Sequence, residues 1–231
     1  MFWRWLNLDM RFRWRRVVPA VVLLFAGVFG LMWVDREAYR LFHQMDPIGR
    51  DLTGMLRAAG FYPTWVIIGL GFAMYGWRRR RIIGKRMAVS RFFLLSNTTA
   101  TSGLLAEGFK LLCRRERPRL THGEYAFRSW LIDPGDPGGI GMPSSHAAVA
   151  FAGMTMLCLI LKSGRWMWIL LAVACSVTRV MDEAHFPSDV WVGGIVGVCV
   201  TRFLWDDHVR RHQGYYDTMR RYEAESAGST V

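Results

Sequence analysis

The pattern of hydrophobic and polar positions is dominated by long apolar runs. Residues 17–34 form an uninterrupted run of 18 uncharged residues and residues 61–77 another of 17, each near the roughly 20 residues a helix needs to cross hydrocarbon. Four further stretches, 92–109, 143–161, 166–181 and 187–205, are apolar with a few polar or charged positions gathered mostly near one end. Each predicts a helical span, and charge inside a span signals function. The pattern therefore predicts an all-α fold, a polytopic membrane bundle of about six transmembrane helices. Three regions follow from it: a basic aromatic segment at 1–16, the transmembrane domain at 17–205 and a polar tail at 206–231. Residues 1–16 alternate Arg with Phe, Trp and Leu, which suits a segment lying in the headgroup layer. The run at 17–34 is longer than a usual signal h-region, and no small-x-small site follows before Asp35, so it is read as an uncleaved anchor.

Composition agrees. At 52% hydrophobic, a soluble chain of 231 residues would need an unusually apolar core. The formal net charge of +12 suits nucleic acid, an anionic membrane surface or a phosphorylated substrate equally well, so its distribution has to decide. If the spans alternate across a bilayer, residues 1–16, 78–91, 162–165 and 202–231 share one side, with 19 Lys or Arg against 6 Asp or Glu. The opposite side, 35–60, 107–146 and 179–189, holds 11 against 12. The positive-inside rule then places both termini in the cytoplasm, and for a bacterial inner membrane the second face is periplasmic. The run from Arg78 to Arg81 with Lys85 and Arg86 directly follows a span, so topology and anionic lipid account for it and no nucleic-acid partner is expected. The four cysteines show no CxxC spacing and read as small hydrophobes. No zinc-type ligand cluster appears, and no metal or cofactor is expected.

The exception to the topology rule is where chemistry collects. Lys110, Arg114, Arg115, Arg117 and Arg119 crowd the exit of the third span on the less basic face. Such a cluster suits a multiply charged anion, because guanidinium forks and an ammonium neutralise phosphate oxygens directly. The segment GMPSSHAAVAF opens the fourth span, with Pro143 fitting the first helical position and Ser144, Ser145 and His146 in the first turn. Free N–H groups there, with the helix dipole behind them, form an anion site, and His146 can protonate a departing oxygen. The segment TRVMDEAHFPSDVWVGG repeats the logic at the sixth span: Pro187 at the first helical position, Asp189 at the third and His185 just outside. A carboxylate holding one imidazole nitrogen would leave the other free to attack. Arg179, charged at the end of the fifth span, needs an anionic partner. Residues 119–142, which include His122, Arg128, Trp130 and a Gly-Pro-rich turn at 133–141, are expected to cover the pocket.

These motifs resemble the type 2 phosphatidic acid phosphatase superfamily, whose signature has three parts. Lys, six residues, then Arg-Pro matches Lys110 to Pro118. Pro-Ser-Gly-His appears as Pro143, Ser144, Ser145, His146. Ser-Arg, five residues, His, three residues, Asp appears as Thr178, Arg179, His185, Asp189. The resemblance implies that Lys110, Arg117 and Arg179 grip the phosphate, and that Ser144, Ser145 and nearby amides complete the pocket. It also implies that His185 attacks phosphorus, Asp189 orients it and His146 handles the proton, without a metal. Ser145 departs from the family glycine and Thr178 from the usual serine; neither change removes a proposed catalytic group. The implied partner is a phosphorylated lipid: phosphatidate, phosphatidylglycerophosphate, undecaprenyl diphosphate or lipid A. Two other readings are a lipid phosphotransferase, in which another acceptor replaces water, and a non-catalytic lipid-binding module.

Overall fold

The computed structural model describes residues 10–44, 50–83, 85–132, 135–161 and 164–214. Residues 1–9 of the basic aromatic segment at 1–16 and the part of the tail beyond 214 lie outside the described residues; residues 10–16 of that segment open the first helix. Among the described residues every named element is helical: α1 (Met10–His43), α2 (Arg50–Arg57), a 3-10 turn (Ala58–Gly60), α3 (Tyr62–Arg78), α4 (Arg80–Ile83), α5 (Lys85–Cys113), α6 (Pro118–Thr121), α7 (Ser145–Ile160), α8 (Arg165–Met181) and α9 (Pro187–Arg211). Each of the six apolar runs falls in one long helix. The main differences are extensions past the last apolar residue, as in α1, which continues through Asp35 to His43, and α9, which continues to Arg211. By length and composition, Val18–His43 and Pro187–Arg211 can each cross a bilayer, and a third span arises if Leu52–Gly60 and Tyr62–Arg78, bent by 73°, count as one.

Helix α7 is apolar but only 16 residues long, whereas α5 is long but less apolar because it faces protein. In α5, Ser96, Thr98, Thr99 and Ser102 are all buried, and Thr99 Oγ1 donates to the Leu95 carbonyl at 2.8 Å. The hydroxyls of Ser96, Thr98 and Ser102 have no protein partner, and small hydroxyl residues of this kind are typical of helix contacts within a membrane. The outer helices show the reverse. Val22, Phe25, Phe29 and Trp33 on α1, Ile67 and Met74 on α3, and Trp166 and Leu170 on α8 are all exposed. A surface so apolar belongs in hydrocarbon rather than water. All four cysteines are free.

The centre of the bundle is the pairing of α7 with α9, which run parallel. A Cβ on Gly193 would lie 2.3 Å from the Ser144 carbonyl oxygen, and one on Gly197 2.3 Å from the Ala148 carbonyl oxygen. One turn further, Thr201 Oγ1 donates to the Ala152 carbonyl at 3.1 Å. Three small positions four apart on α9 thus meet three carbonyls four apart on α7, and only glycine at the first two lets the backbones approach so closely. Replacing Gly197 with alanine should lower the midpoint of thermal unfolding in detergent, with a cost of about 1–3 kcal/mol for overpacking against immovable backbone. Gly71→Ala, where nothing lies within 4 Å, should not. Equal midpoints for the two variants would show that the crossing is not limited by Gly197. Because α7 and α9 are parallel and start side by side, with Ser144 N donating to the Asp189 carbonyl at 3.0 Å, their N-termini open at the same end of the bundle. The C-terminal ends of α5 and α8 close there too.

Candidate active site

His185 sits immediately before Phe186, the N-cap of α9, with Pro187 at the first helical position, as the sequence pattern predicts. Its ring is buried. Nδ1 lies 2.8 Å from the Gly141 carbonyl oxygen. A carbonyl only accepts, so in the neutral ring the proton resides on Nδ1 and the lone pair on Nε2. Burial, reinforced by the charges of Arg179, Lys110 and Arg117, holds His185 well below the ordinary histidine range, against a weaker opposing pull from the Gly141 bond. The imidazole is therefore neutral at pH 7, with Nε2 unprotonated.

Asp189, the third residue of α9, is buried and accepts from the Phe186 N–H at 2.8 Å. Its nearest approach to His185 Nδ1 is 3.9 Å, so the direct partner of the ring is the Gly141 carbonyl. The main partner of the carboxylate is Arg115, which donates to Asp189 Oδ1 and, at 2.7 Å, to Ser188 Oγ. Arg115 also faces Asp35 at 3.7 Å, and Asp35 accepts from Ser188 N at 2.9 Å and Tyr125 Oη at 2.9 Å. A buried network thus ties α1, the loop after α5 and the start of α9 into one support beneath His185. Asp35 carries no motif signal in the sequence beyond marking the end of the first apolar run. That a carboxylate stands where the hydrocarbon region would end was the available clue to a buried partner.

The expected phosphate ligands converge. Lys110, buried at the end of α5, donates to Glu107 at 2.7 Å and to Ser145 Oγ at 3.4 Å. Arg117 caps α6 and reaches the Ile140 carbonyl at 3.4 Å; burial, then neighbouring Arg119, holds its guanidinium below the ordinary arginine value. Arg179 donates to Asp182 at 3.0 Å, while its buried Nε has no protein partner. His146 lies within electrostatic range of Arg179, Arg57, Lys110 and Arg117, and its buried Nε2 likewise has no protein partner. The Phe61 ring packs edge-on against it at 5.0 Å. Helix α7 begins two residues later than the proline suggested, at Ser145 rather than Pro143. Ser144 is the N-cap, its Oγ accepting from Ala147 N at 3.4 Å, and Ser145 is the first helical residue, so Pro143 lies before the cap rather than at the first helical position. A serine that can bond the first turn outcompetes a proline for setting the start. Ser145 and His146 remain in the first turn.

The five basic residues after the third span divide by role. Lys110 and Arg117 approach the histidines, whereas Arg114 is buried, donating to the carbonyls of Arg128, Ser129 and Ile132 at 3.1, 2.8 and 2.6 Å. Its guanidinium also stacks over Trp130 at 5.2 Å. The loop of residues 119–142 is thereby held folded, and Arg128 pairs with Glu116 and Asp136 at 3.5 and 3.7 Å. Trp130, Leu131 and Ile132 form its exposed apolar tip; residues 133–134 of the expected turn lie outside the described residues. Away from the cations, an apolar cavity of about 360 Å³ lies between α1, α7, α8 and α9. Its lining includes Val180, next to Arg179, and Pro187, two residues from His185, then runs to Val173 and Val198 deeper in the bundle.

Comparison with known proteins places this arrangement. A profile of the PAP2 superfamily matches residues 91–213. The chain is 34% identical over 99 residues to a lipid A 1-phosphatase of Rhizobium etli, covering 43% of this chain and 42% of that protein. It is 38% identical over 72 residues to an undecaprenyl-diphosphatase of Sulfolobus acidocaldarius, covering 30% and 34%. It is 32% identical over 63 residues to the bacitracin transport permease protein BcrC of Bacillus licheniformis, covering 27% and 31%. The similarity spans less than half the length of each of these relatives. No solved structure matches the chain.

Proposed function

The chain belongs to the PAP2 superfamily, and on that premise we propose that it is an integral membrane phosphatase that hydrolyses the phosphomonoester or diphosphate of a lipid through a phosphohistidine. The observation that carries the reading is the bond between His185 Nδ1 and the Gly141 carbonyl, which leaves the Nε2 lone pair of a neutral ring free beside three cations. Lys110, Arg117 and Arg179 neutralise the phosphate oxygens, and Ser144, Ser145 and the first amides of α7 complete the cradle. His185 Nε2 forms the N–P bond as the P–O bond to the lipid breaks, its electron pair passing to the leaving oxygen. His146 supplies the proton that this oxygen takes. Water then attacks phosphorus, His146 accepts its proton, the N–P bond returns its pair to Nε2, and inorganic phosphate departs. Asp189 positions His185 through the start of α9. The cations perform the charge neutralisation that a metal provides in other phosphoryl-transfer sites, so the proposal requires neither metal nor cofactor.

In this reading α1, α3, α5, α7, α8 and α9 are the six spans, the more basic loops and both termini are cytoplasmic, and the site opens at the periplasmic face of the inner membrane. The relatives named as acting on lipid A and undecaprenyl diphosphate support a phosphorylated lipid as substrate. Phosphatidate and phosphatidylglycerophosphate offer the same phosphate chemistry, and the apolar cavity beside Pro187 suits a hydrocarbon chain. The test is phosphate release by the purified chain in mixed micelles from a panel of these four lipids, with and without EDTA. Release from at least one lipid, undiminished by EDTA, is expected. No release from any of them would refute the phosphatase reading, and loss with EDTA would refute the metal-free scheme.

A further inference from the structure

The short helix α2 and the 3-10 turn after it were not singled out by the sequence, yet they pack directly on the site. A Cβ on Gly60 would lie 2.8 Å from His146 Cδ2 and 2.9 Å from its Cβ, and Phe61 packs edge-on against the same ring. Arg57, the last residue of α2, is half-buried and lies 3.3 Å from Asp182 Oδ2. Arg179 donates to that same oxygen at 3.0 Å. One carboxylate therefore holds two guanidinium groups side by side, one of them from the segment that packs on His146. Arg57 is among the charges that bear on His146, whereas those that dominate at His185 are Arg179, Lys110 and Arg117.

Resting on the phosphatase reading, we propose that Arg57 is a specificity-determining residue that binds the inner, lipid-linked phosphate of a lipid diphosphate. Displacement at phosphorus is in line, so the leaving oxygen lies opposite the attacking His185 Nε2 and toward His146. With a phosphomonoester, the leaving oxygen takes the His146 proton and departs as a neutral alcohol, which offers Arg57 no charge. With a diphosphate, His185 attacks the terminal phosphorus, the bond from that phosphorus to the bridging oxygen breaks, and the electron pair and then the His146 proton pass to the bridging oxygen. The product is a lipid monophosphate, an anion even after taking that proton. A cation placed on the His146 side stabilises that charge in the transition state of the diphosphate reaction alone. Adjacent guanidinium groups match adjacent phosphoryl groups, with Arg179 on the terminal one and Arg57 on the inner one.

The experiment compares the full-length wild type, Arg57→Met and Arg57→Lys in micelles on farnesyl diphosphate and farnesyl monophosphate, which differ only in the inner phosphate. The ratio of kcat/KM for diphosphate over monophosphate should fall by about 10- to 100-fold in Arg57→Met, as for loss of one hydrogen bond to a charged group, and Arg57→Lys should recover part of it. A structural anchor would lower both activities together, and an unchanged ratio overturns the proposal. Should Arg57→Met fail to fold, the wild type decides: methylene diphosphonate should compete at least about tenfold more tightly than methylphosphonate, one tenfold step being a modest charge-assisted contact. Equal competition overturns the proposal. Wild type inactive on both farnesyl compounds and on the four-lipid panel refutes the phosphatase reading itself, whereas activity with an unmoved ratio refutes only the role of Arg57.

Discussion

His185→Ala should lose lipid-phosphate hydrolysis by on the order of 10³- to 10⁶-fold in kcat, the range seen when the nucleophile of a cooperating group is removed. Truncation leaves the Gly141 carbonyl without its buried donor, a cost of about 1–3 kcal/mol, which the variant should survive as a folded, monodisperse species. His185→Asn, whose amide can still donate to that carbonyl, separates the two effects: it should regain stability and not activity. The covalent step has its own signature. Acid quenching destroys a phosphohistidine and alkali preserves it, so wild type quenched in alkali during turnover of a labelled lipid should carry bound phosphate that both variants lack. Activity of His185→Ala within tenfold of wild type would place the nucleophile elsewhere.

The same geometry sets a pH dependence. His185 attacks only when Nε2 is unprotonated, and burial with three neighbouring cations holds its pKa well below the ordinary value. A lowered pKa extends the reactive form to more acid conditions, so activity should not begin to fall as pH passes 6.5, the unperturbed histidine value, but only at lower pH. The profile of kcat/KM reports the free protein, after correction for the second ionisation of the substrate phosphate near 6. An acid limb centred at an ordinary histidine value after that correction would mean that neither burial nor the cations bear on His185 as the geometry indicates.

Periodicity and motif spacing made much of this legible because they report local rules. A run of apolar residues long enough to span is visible without partners, and Pro187 with Asp189 two residues on encodes a helix start wherever it occurs. Lys110, Arg117, His146, Arg179 and His185 were singled out by local pattern and by the resemblance of their motifs, and the fold brings them to one end. What the sequence hid is pairwise. Whether Asp189 touches His185 or Arg115 depends on which long-range partner lies closer, and Arg115 comes from 74 residues away. Ser144 as cap in place of Pro143 at the first position shifts the start by two residues, a difference that pattern alone does not resolve. Arg57 and Asp35 are single charges in segments without a motif; their meaning comes from Asp182 and Ser188, 153 residues distant in the second case. The Gly193, Gly197 and Thr201 stripe was not read from the sequence, because its significance lies in the α7 carbonyls it meets.

Arg115→Met should produce the largest loss of stability. Asp35 and Asp189 are both fully buried, Arg115 stands between them, and its guanidinium also faces the Tyr125 and Phe186 rings at 5.2 and 5.0 Å. Methionine fills much of the volume but leaves two carboxylates out of water with one cation fewer, and breaking a buried ion pair from one side costs about 3–5 kcal/mol. Asp35→Asn added to Arg115→Met removes one of the stranded charges while keeping a group that can bond Ser188, so the double variant should be more stable than Arg115→Met alone, a non-additivity readable as a double-mutant cycle in thermal or denaturant unfolding. Catalysis responds differently. Asp189 holds the Phe186 N–H at the start of α9, and Phe186 follows His185 directly, so freeing Asp189 from Arg115 displaces the nucleophile even where the fold is restored. The double variant should therefore regain stability without regaining activity. Purely additive stabilities would mean that Asp35 and Arg115 are not coupled, and recovery of activity along with stability would mean that the network holds the bundle together but does not set His185.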